Sequence, residues 1–267
     1  MNIKKIVKYS FIIMATIIFI ITAINTLVIY QIKENNQTKQ AISDLVFMEE
    51  NMNELLKDIT NVTSVKELEI KKEAFIKYEL KFEAIEKKFK LKDEKDFVDL
   101  FITDIYKDEV ISTKLTLLYE NEKEIEDAFY IIYDLENKKL DLKEEFDKNY
   151  PIENQIRKEL DLKIQELKSY KLFKLFSDVK YYSKETLYQY KNQITLNKWI
   201  EKIELLQAEY NQPEIDEYKQ IVSKLGNQVV LLKQIEEKEN ELKNKVFDVI
   251  NQNKVYSSEI EKKIAQL

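Results

Sequence analysis

Residues 221–260 read IVSKLGNQVVLLKQIEEKENELKNKVFDVINQNKVYSSEI, and their spacing decides the fold class. Leu225, Val229, Leu232, Leu242, Val246, Val249, Tyr256 and Ile260 recur every three or four residues, which gathers them on one face of an α-helix. Only polar Glu236, Glu239 and Asn253 interrupt the seam. The same period runs through the start of the chain. Ile42, Leu45, Met52, Leu56 and Ile59 form one run, and Leu68, Phe75, Phe82 and Phe89 follow at intervals of seven. Over its 267 residues the chain has one glycine, Gly226, and two prolines, Pro151 and Pro213. Tight turns need residues that tolerate positive φ or fix φ, so sheet proteins, Rossmann folds and glycine-rich phosphate loops are disfavoured. The expectation is an all-α chain of long helices.

The first residues carry a different pattern. Between Lys8 and Lys33 no charge occurs, and the core of that run is FIIMATIIFIITAI. At about 1.5 Å per residue, residues 9–32 reach across a hydrocarbon slab of roughly 30 Å. Tyr9 and Tyr30 stand where aromatic belts meet the headgroups. A cleaved signal peptide would have a shorter apolar run and small residues at its end, and Ala23-Ile24-Asn25 is a poor match. Lys4, Lys5 and Lys8 precede the span. The positive-inside bias then assigns residues 1–8 to the cytoplasm, 9–32 to the membrane and 33–267 to the exterior, the periplasm of a bacterial inner membrane.

Breakers suggest how the exterior part is divided. Asn149-Tyr150-Pro151 and Asn211-Gln212-Pro213 are Asn-x-Pro stops followed by acids suited to a helix start, and Lys92-Asp93 is a weaker third. Cutting there yields four segments of nearly equal length, 33–91, 94–149, 152–210 and 213–267. They predict an up-down-up-down four-column bundle, each column roughly 80–90 Å long. Thr60-Asn61-Val62-Thr63-Ser64 interrupts the first column, with Ser64 and Glu67 in capping-box spacing, so the column breaks and restarts there. Polar or irregular sequence at the matching level of two other columns, Tyr119–Glu122 and Tyr181–Ser183, points to two stacked four-helix modules.

A membrane helix followed by such an exterior resembles the helical bimodular sensor domains of bacterial chemoreceptors and sensor histidine kinases. The segment Tyr181-Tyr182-Ser183-Lys184-Glu185-Thr186-Leu187-Tyr188-Gln189-Tyr190-Lys191, with Leu196-Asn197-Lys198-Trp199-Ile200 after it, is similar to sensor regions of membrane kinases. The resemblance implies an input domain that binds a small molecule or a periplasmic binding protein, works as a homodimer and relays binding by helix displacement. Members of that family carry a second span and a cytoplasmic output domain. Neither is present here, so the expectation is a receptor fragment or a stand-alone anchored bundle.

Composition removes most other functions. The chain has no Cys and no His, which removes thiolate and imidazole nucleophiles, Cys/His zinc sites and the usual base near neutral pH. The net charge is −6, which leaves no basic surplus for nucleic acid. No enzyme, cofactor or metal is expected. Ser177-x-x-Lys180 matches an acyl-transfer spacing, but its companion motifs are missing. Glu120/Glu124 lacks the His of a di-iron bundle and reads as solvated surface. Glu34-x-Asn36-x-Thr38 fits an N-glycosylation pattern and reads as coincidence so near the membrane.

Two ligand loci remain, each with an ordinary alternative. Tyr170, Phe173, Phe176, Tyr181, Tyr182, Tyr188 and Tyr190 crowd one stretch. They are either bundle core or the wall of a ligand pocket, with Tyr181 and Tyr182 foremost. Column arithmetic sets Gly226 level with Tyr78, Tyr106 and Trp199. There the missing side chain leaves either a gap for a small ligand or a close helix contact. Arg157, the sole arginine, could grip a carboxylate bidentately, though a helical arginine is ordinarily a surface residue. An anchored spacer that binds envelope proteins through a helix face is the competing function.

Overall fold

A computed structural model describes the backbone of residues 3–91 and 108–266, and these residues form helices joined by short turns, with no strand among them. The first helix, α1 (Ile3–Asp58), begins with the apolar run. Residues 8–30 are exposed there, and a buried stripe starts only beyond them, at Thr38, Ile42, Leu45, Glu49 and Met52. Among the described residues this is the one helix long and apolar enough to cross a membrane.

A 3-10 turn, Ile59–Asn61, ends α1, and α2 (Val65–Leu91) follows. The capping box forms as the sequence suggests. Ser64 Oγ accepts the Glu67 N–H at 3.3 Å, and Glu67 Oε2 accepts the Thr63 N–H at 2.9 Å. The column does not restart upward, however. Lys71 Nζ meets Asp58 Oδ2 at 2.9 Å. Along a continuous helix those residues would stand ~20 Å apart, so the chain reverses here and α2 packs beside α1 as a hairpin.

The expected stop at Asn149-Tyr150-Pro151 is absent. Helix α3 (Glu109–Glu166) runs straight through it, with Pro151 inside. Pro151 is exposed, so the carbonyl it deprives of a partner can turn to water. Meanwhile Asn149, Glu153, Ile156, Leu160 and Ile164 continue a buried stripe across the proline. Burial of that stripe outweighs the local cost. The four equal columns therefore do not describe the path of the chain. The break at Lys92-Asp93 lies outside the described residues.

The real corner is Leu167–Ser169, after which α4 (Tyr170–Lys184) opens with Ser169 Oγ accepting the Leu172 N–H at 3.4 Å. A π-helical turn, Glu185–Gln189, leads to Lys191 and to Asn192, whose Oδ1 caps α5 (Gln193–Glu209) through the Thr195 N–H at 2.9 Å. The Asn211-Gln212-Pro213 stop is real. Tyr210 leaves helical geometry at φ −143°, ψ 82°, and Pro213 opens α6 (Pro213–Gln266) with Glu214 and Asp216 in its first turn.

Contacts divide the chain into two compact units. The first takes Met1–Leu56, Glu73–Asp127 and Val246–Leu267, with buried residues from α1, α2, α3 and α6. Phe82 and Tyr119 meet edge-on at 5.7 Å, and Asn121 Nδ2 donates to Asn253 Oδ1 at 2.7 Å. The second takes Lys57–Lys72 and Ala128–Lys245. Its main core joins α3, α4, α5 and α6 through Leu160, Phe176, Val179, Leu196, Trp199, Ile203, Tyr218, Val222 and Leu225.

Candidate functional site

The second unit buries an unusual polar network. Glu153 of α3 is fully buried (0% exposed), and its Oε1 accepts from Arg157 Nε at 3.0 Å and from the Tyr218 hydroxyl of α6 at 2.9 Å. Arg157 Nη2 also donates to Asn154 Oδ1 at 2.9 Å. Tyr218 and Trp199 of α5 are both fully buried, and the Trp199 indole faces the Tyr218 hydroxyl. Glu153 thus ties α3 to α6 through Tyr218, inside an apolar core that also holds Trp199 of α5. Burial pushes the Glu153 carboxyl up, while Arg157 and Tyr218 pull it back down. Burial first, and the Glu153 charge second, hold the Tyr218 phenol well above its ordinary range. Glu153 Oε2 has no hydrogen-bond partner among the described residues, nor does Trp199 Nε1 within good geometry.

The residues singled out from sequence scatter around this network. Arg157 is not a plain surface residue, because it neutralises a buried carboxylate. Trp199 belongs to the same core. Gly226 does not open a gap. A Cβ there would lie 2.2 Å from Leu196 Cδ1 of α5, so the space is already filled by a buried leucine. Of the two alternatives for Gly226, the close helix contact is the one that forms. Tyr78 is half-buried and belongs to the first unit, whereas Trp199 and Gly226 belong to the second. Tyr106 lies outside the described residues. Tyr182 packs against the second unit's core beneath the Lys198 ammonium, 5.8 Å from its ring centre. Tyr181 is exposed, edge-on to Tyr182 at 5.1 Å, and its hydroxyl bonds to Glu185, which raises its pKa.

Sequence reasoning missed Glu153 and Tyr218. A stop at Pro151 makes Glu153 an acid in the first turn of a helix, and it loses that role once α3 continues through the proline. The available signal was the four-residue spacing of the sole arginine from an acid, which puts both on one helix face.

Three further clusters of buried charge lie elsewhere, two of them sharing residues of α6. In the second unit, Lys139 Nζ bridges Glu136 Oε1 at 2.9 Å and Glu239 Oε2 at 3.0 Å, and burial pushes the Glu136 carboxyl up. In the first unit Glu49 sits among Asn53, Asn253 and Ser257. Burial lifts its pKa to about 7 against the hydrogen bonds of those neighbours. Glu122, beside Glu79, Glu83, Glu86 and Glu126, is pushed up to about 8, first by burial and then by those like charges. Glu239 and Asn253, the polar residues expected in the seam of the last column, are buried there, while Glu236 is exposed. Among the described residues no group of His, Cys, Asp or Glu is placed to hold a metal ion. These carboxyls can bind protons and fix helix register. Comparison with known proteins finds no matching family model, curated protein or solved structure.

Proposed function

We propose that this chain is a membrane-anchored extracytoplasmic input domain of a bacterial signal-transduction receptor. On this reading residues 9–32 cross the inner membrane and residues 33–267 lie in the periplasm as two helical modules in a homodimer. A small solute or a periplasmic binding protein is detected and relayed by displacement of α6. One observation carries the proposal: the face that α6 buries is polar at Gln228, Glu239, Asn253 and Ser257, each in or beside a hydrogen-bond network. Polar contacts set register, and Glu239 Oε1, Asn253 Nδ2 and the facing Glu49 Oε1 have no hydrogen-bond partner among the described residues, so these networks are only partly satisfied, which suits a helix that must shift. An inert spacer would gain more from an apolar seam. That spacer, an anchored interaction protein of the envelope, is the alternative.

The absence of cysteine makes the topology directly testable. Asn244 is exposed on α6 and Lys4 precedes the apolar run. A membrane-impermeant maleimide applied to intact cells should label Asn244→Cys and spare Lys4→Cys until the membrane is opened. Labelling of Lys4→Cys alone would refute the orientation. For the relay, paired cysteines on α3 and α6 should change their cross-linking yield when periplasmic extract is added to the full chain in nanodiscs. A yield indifferent to every fraction favours the spacer.

A further inference from the structure

The corner between α3 and α4 holds a pocket of about 320 Å³ lined by Ile164, Gln165, Lys168, Ser169, Tyr170 and Phe173. The concavity is shallow and mostly open to solvent, so it would hold a small molecule against one wall and not enclose it. Its aromatic side is left uncovered: Tyr170 is 80% exposed and Phe173 is 49% exposed, although Phe176 one turn on is buried. Three lysines surround the corner. Lys163 is paired with Glu214 and Lys171 with Glu209, while Lys168 forms no ion pair among the described residues. Lys168 also stands at φ 50°, in the left-handed region that favours glycine. A lysine in that position gains something from the carbonyl end of α3. It does not account for two aromatics turned to solvent beside it.

We propose that this corner binds a small arylalkyl carboxylate, with the carboxylate on the Lys168 ammonium and Ser169 hydroxyl and the ring between Tyr170 and Phe173. The cation selects an anion, and the apolar walls exclude a bare inorganic one. The site goes beyond the input-domain reading and does not depend on it.

Lys191, also left-handed at φ 49° and outside the pocket, supplies a matched control. The experiment is 19F NMR line broadening of 4-fluorophenylacetate by the full chain in nanodiscs, with empty nanodiscs as blank and 4-fluorophenethylamine as the charge-reversed probe. The acetate should bind and the amine should not. Lys168→Gly and Lys168→Gln should each weaken binding at least fivefold, while Lys191→Gly leaves it within twofold. Both glycine variants should melt higher than the parent, which separates loss of a ligand contact from loss of fold. Equal broadening by the amine, no broadening by the acetate, or undiminished binding in Lys168→Gln would each overturn the proposal.

Discussion

Gly226 and Leu196 show how a single atom decides between a site and a packing contact. An alanine at 226 gains about 1 kcal/mol of helix propensity. It must also push aside Leu196, which is fully buried and whose Cδ1 stands 2.2 Å from the new Cβ. Overpacking of that kind costs about 1–3 kcal/mol. We therefore expect Gly226→Ala to lower the urea midpoint, and an unchanged or higher midpoint would show that Leu196 has room to move. Tyr218 makes a second case. It donates to a carboxylate that has left water, so Tyr218→Phe should destabilise by about 1–3 kcal/mol. Its partner Glu153 has a raised pKa and needs the donor most when charged. The loss should therefore grow as the pH is raised and Glu153 ionises, as read by thermal melts followed through Trp199 emission. A loss independent of pH would mean that Glu153 does not change its charge over the range tested.

Helix α3 is the element on which local and tertiary preferences conflict. Its interior carries a proline, which ordinarily costs about 3 kcal/mol and stands two residues after an asparagine well suited to a turn. The helix persists because the proline faces water while Asn149, Glu153 and Ile156 stay buried on the opposite side. Pro151→Ala should therefore stabilise the chain by about 1–3 kcal/mol, since alanine restores the donor without touching the core. A loss of stability on the same melt would mean that the helix is not continuous there. The second proline behaves differently for a visible reason. Pro213 takes the first helical position, where no donor is needed, and Tyr210 has already left helical geometry.

For the molecule as a whole, buried acid sets the pH response. Glu49 and Glu126 titrate near 7 and Glu122 near 8, each above an ordinary value of 4.5 and each chiefly because burial disfavours the charge. A carboxyl whose pKa is higher folded than unfolded binds more protons in the folded state. Stability should then fall as the pH rises from about 4.5 to about 8 and level off beyond. The total change is on the order of a few kcal/mol, carried by Glu49 and Glu122, because solvent screens Glu126 and discounts its share. Thermal melts across that range should show the decline. Glu122→Gln, which removes the charge that Glu79, Glu83, Glu86 and Glu126 oppose, should flatten it and raise the melting temperature at pH 8. A melting temperature that climbs between pH 5 and pH 8 would contradict the assignment.

The helical class, the apolar span, the break at Thr60–Ser64, the stop before Pro213 and the polar seam residues Glu239 and Asn253 of α6 were legible in the sequence, whereas Glu236 turned out exposed. Each rests on the order of residues along one helix, on spacing, on length or on a cap. What the sequence could not carry were properties of two helices at once. Whether the chain reverses or restarts after Ile59 depends on which face of α2 meets α1, and the Asp58–Lys71 pair belongs to both. Whether Pro151 ends a helix depends on what the neighbouring helices bury, and a local stop signal yields to a continuous core. The four equal segments were a coincidence of breaker positions, only one of which is a turn among the described residues. The Glu153–Tyr218 contact joins residues 65 apart, and the filling of Gly226 by Leu196 needs α5 in place. Long-range complementarity leaves no mark on a single strand of sequence, because either partner alone reads as an ordinary helical residue.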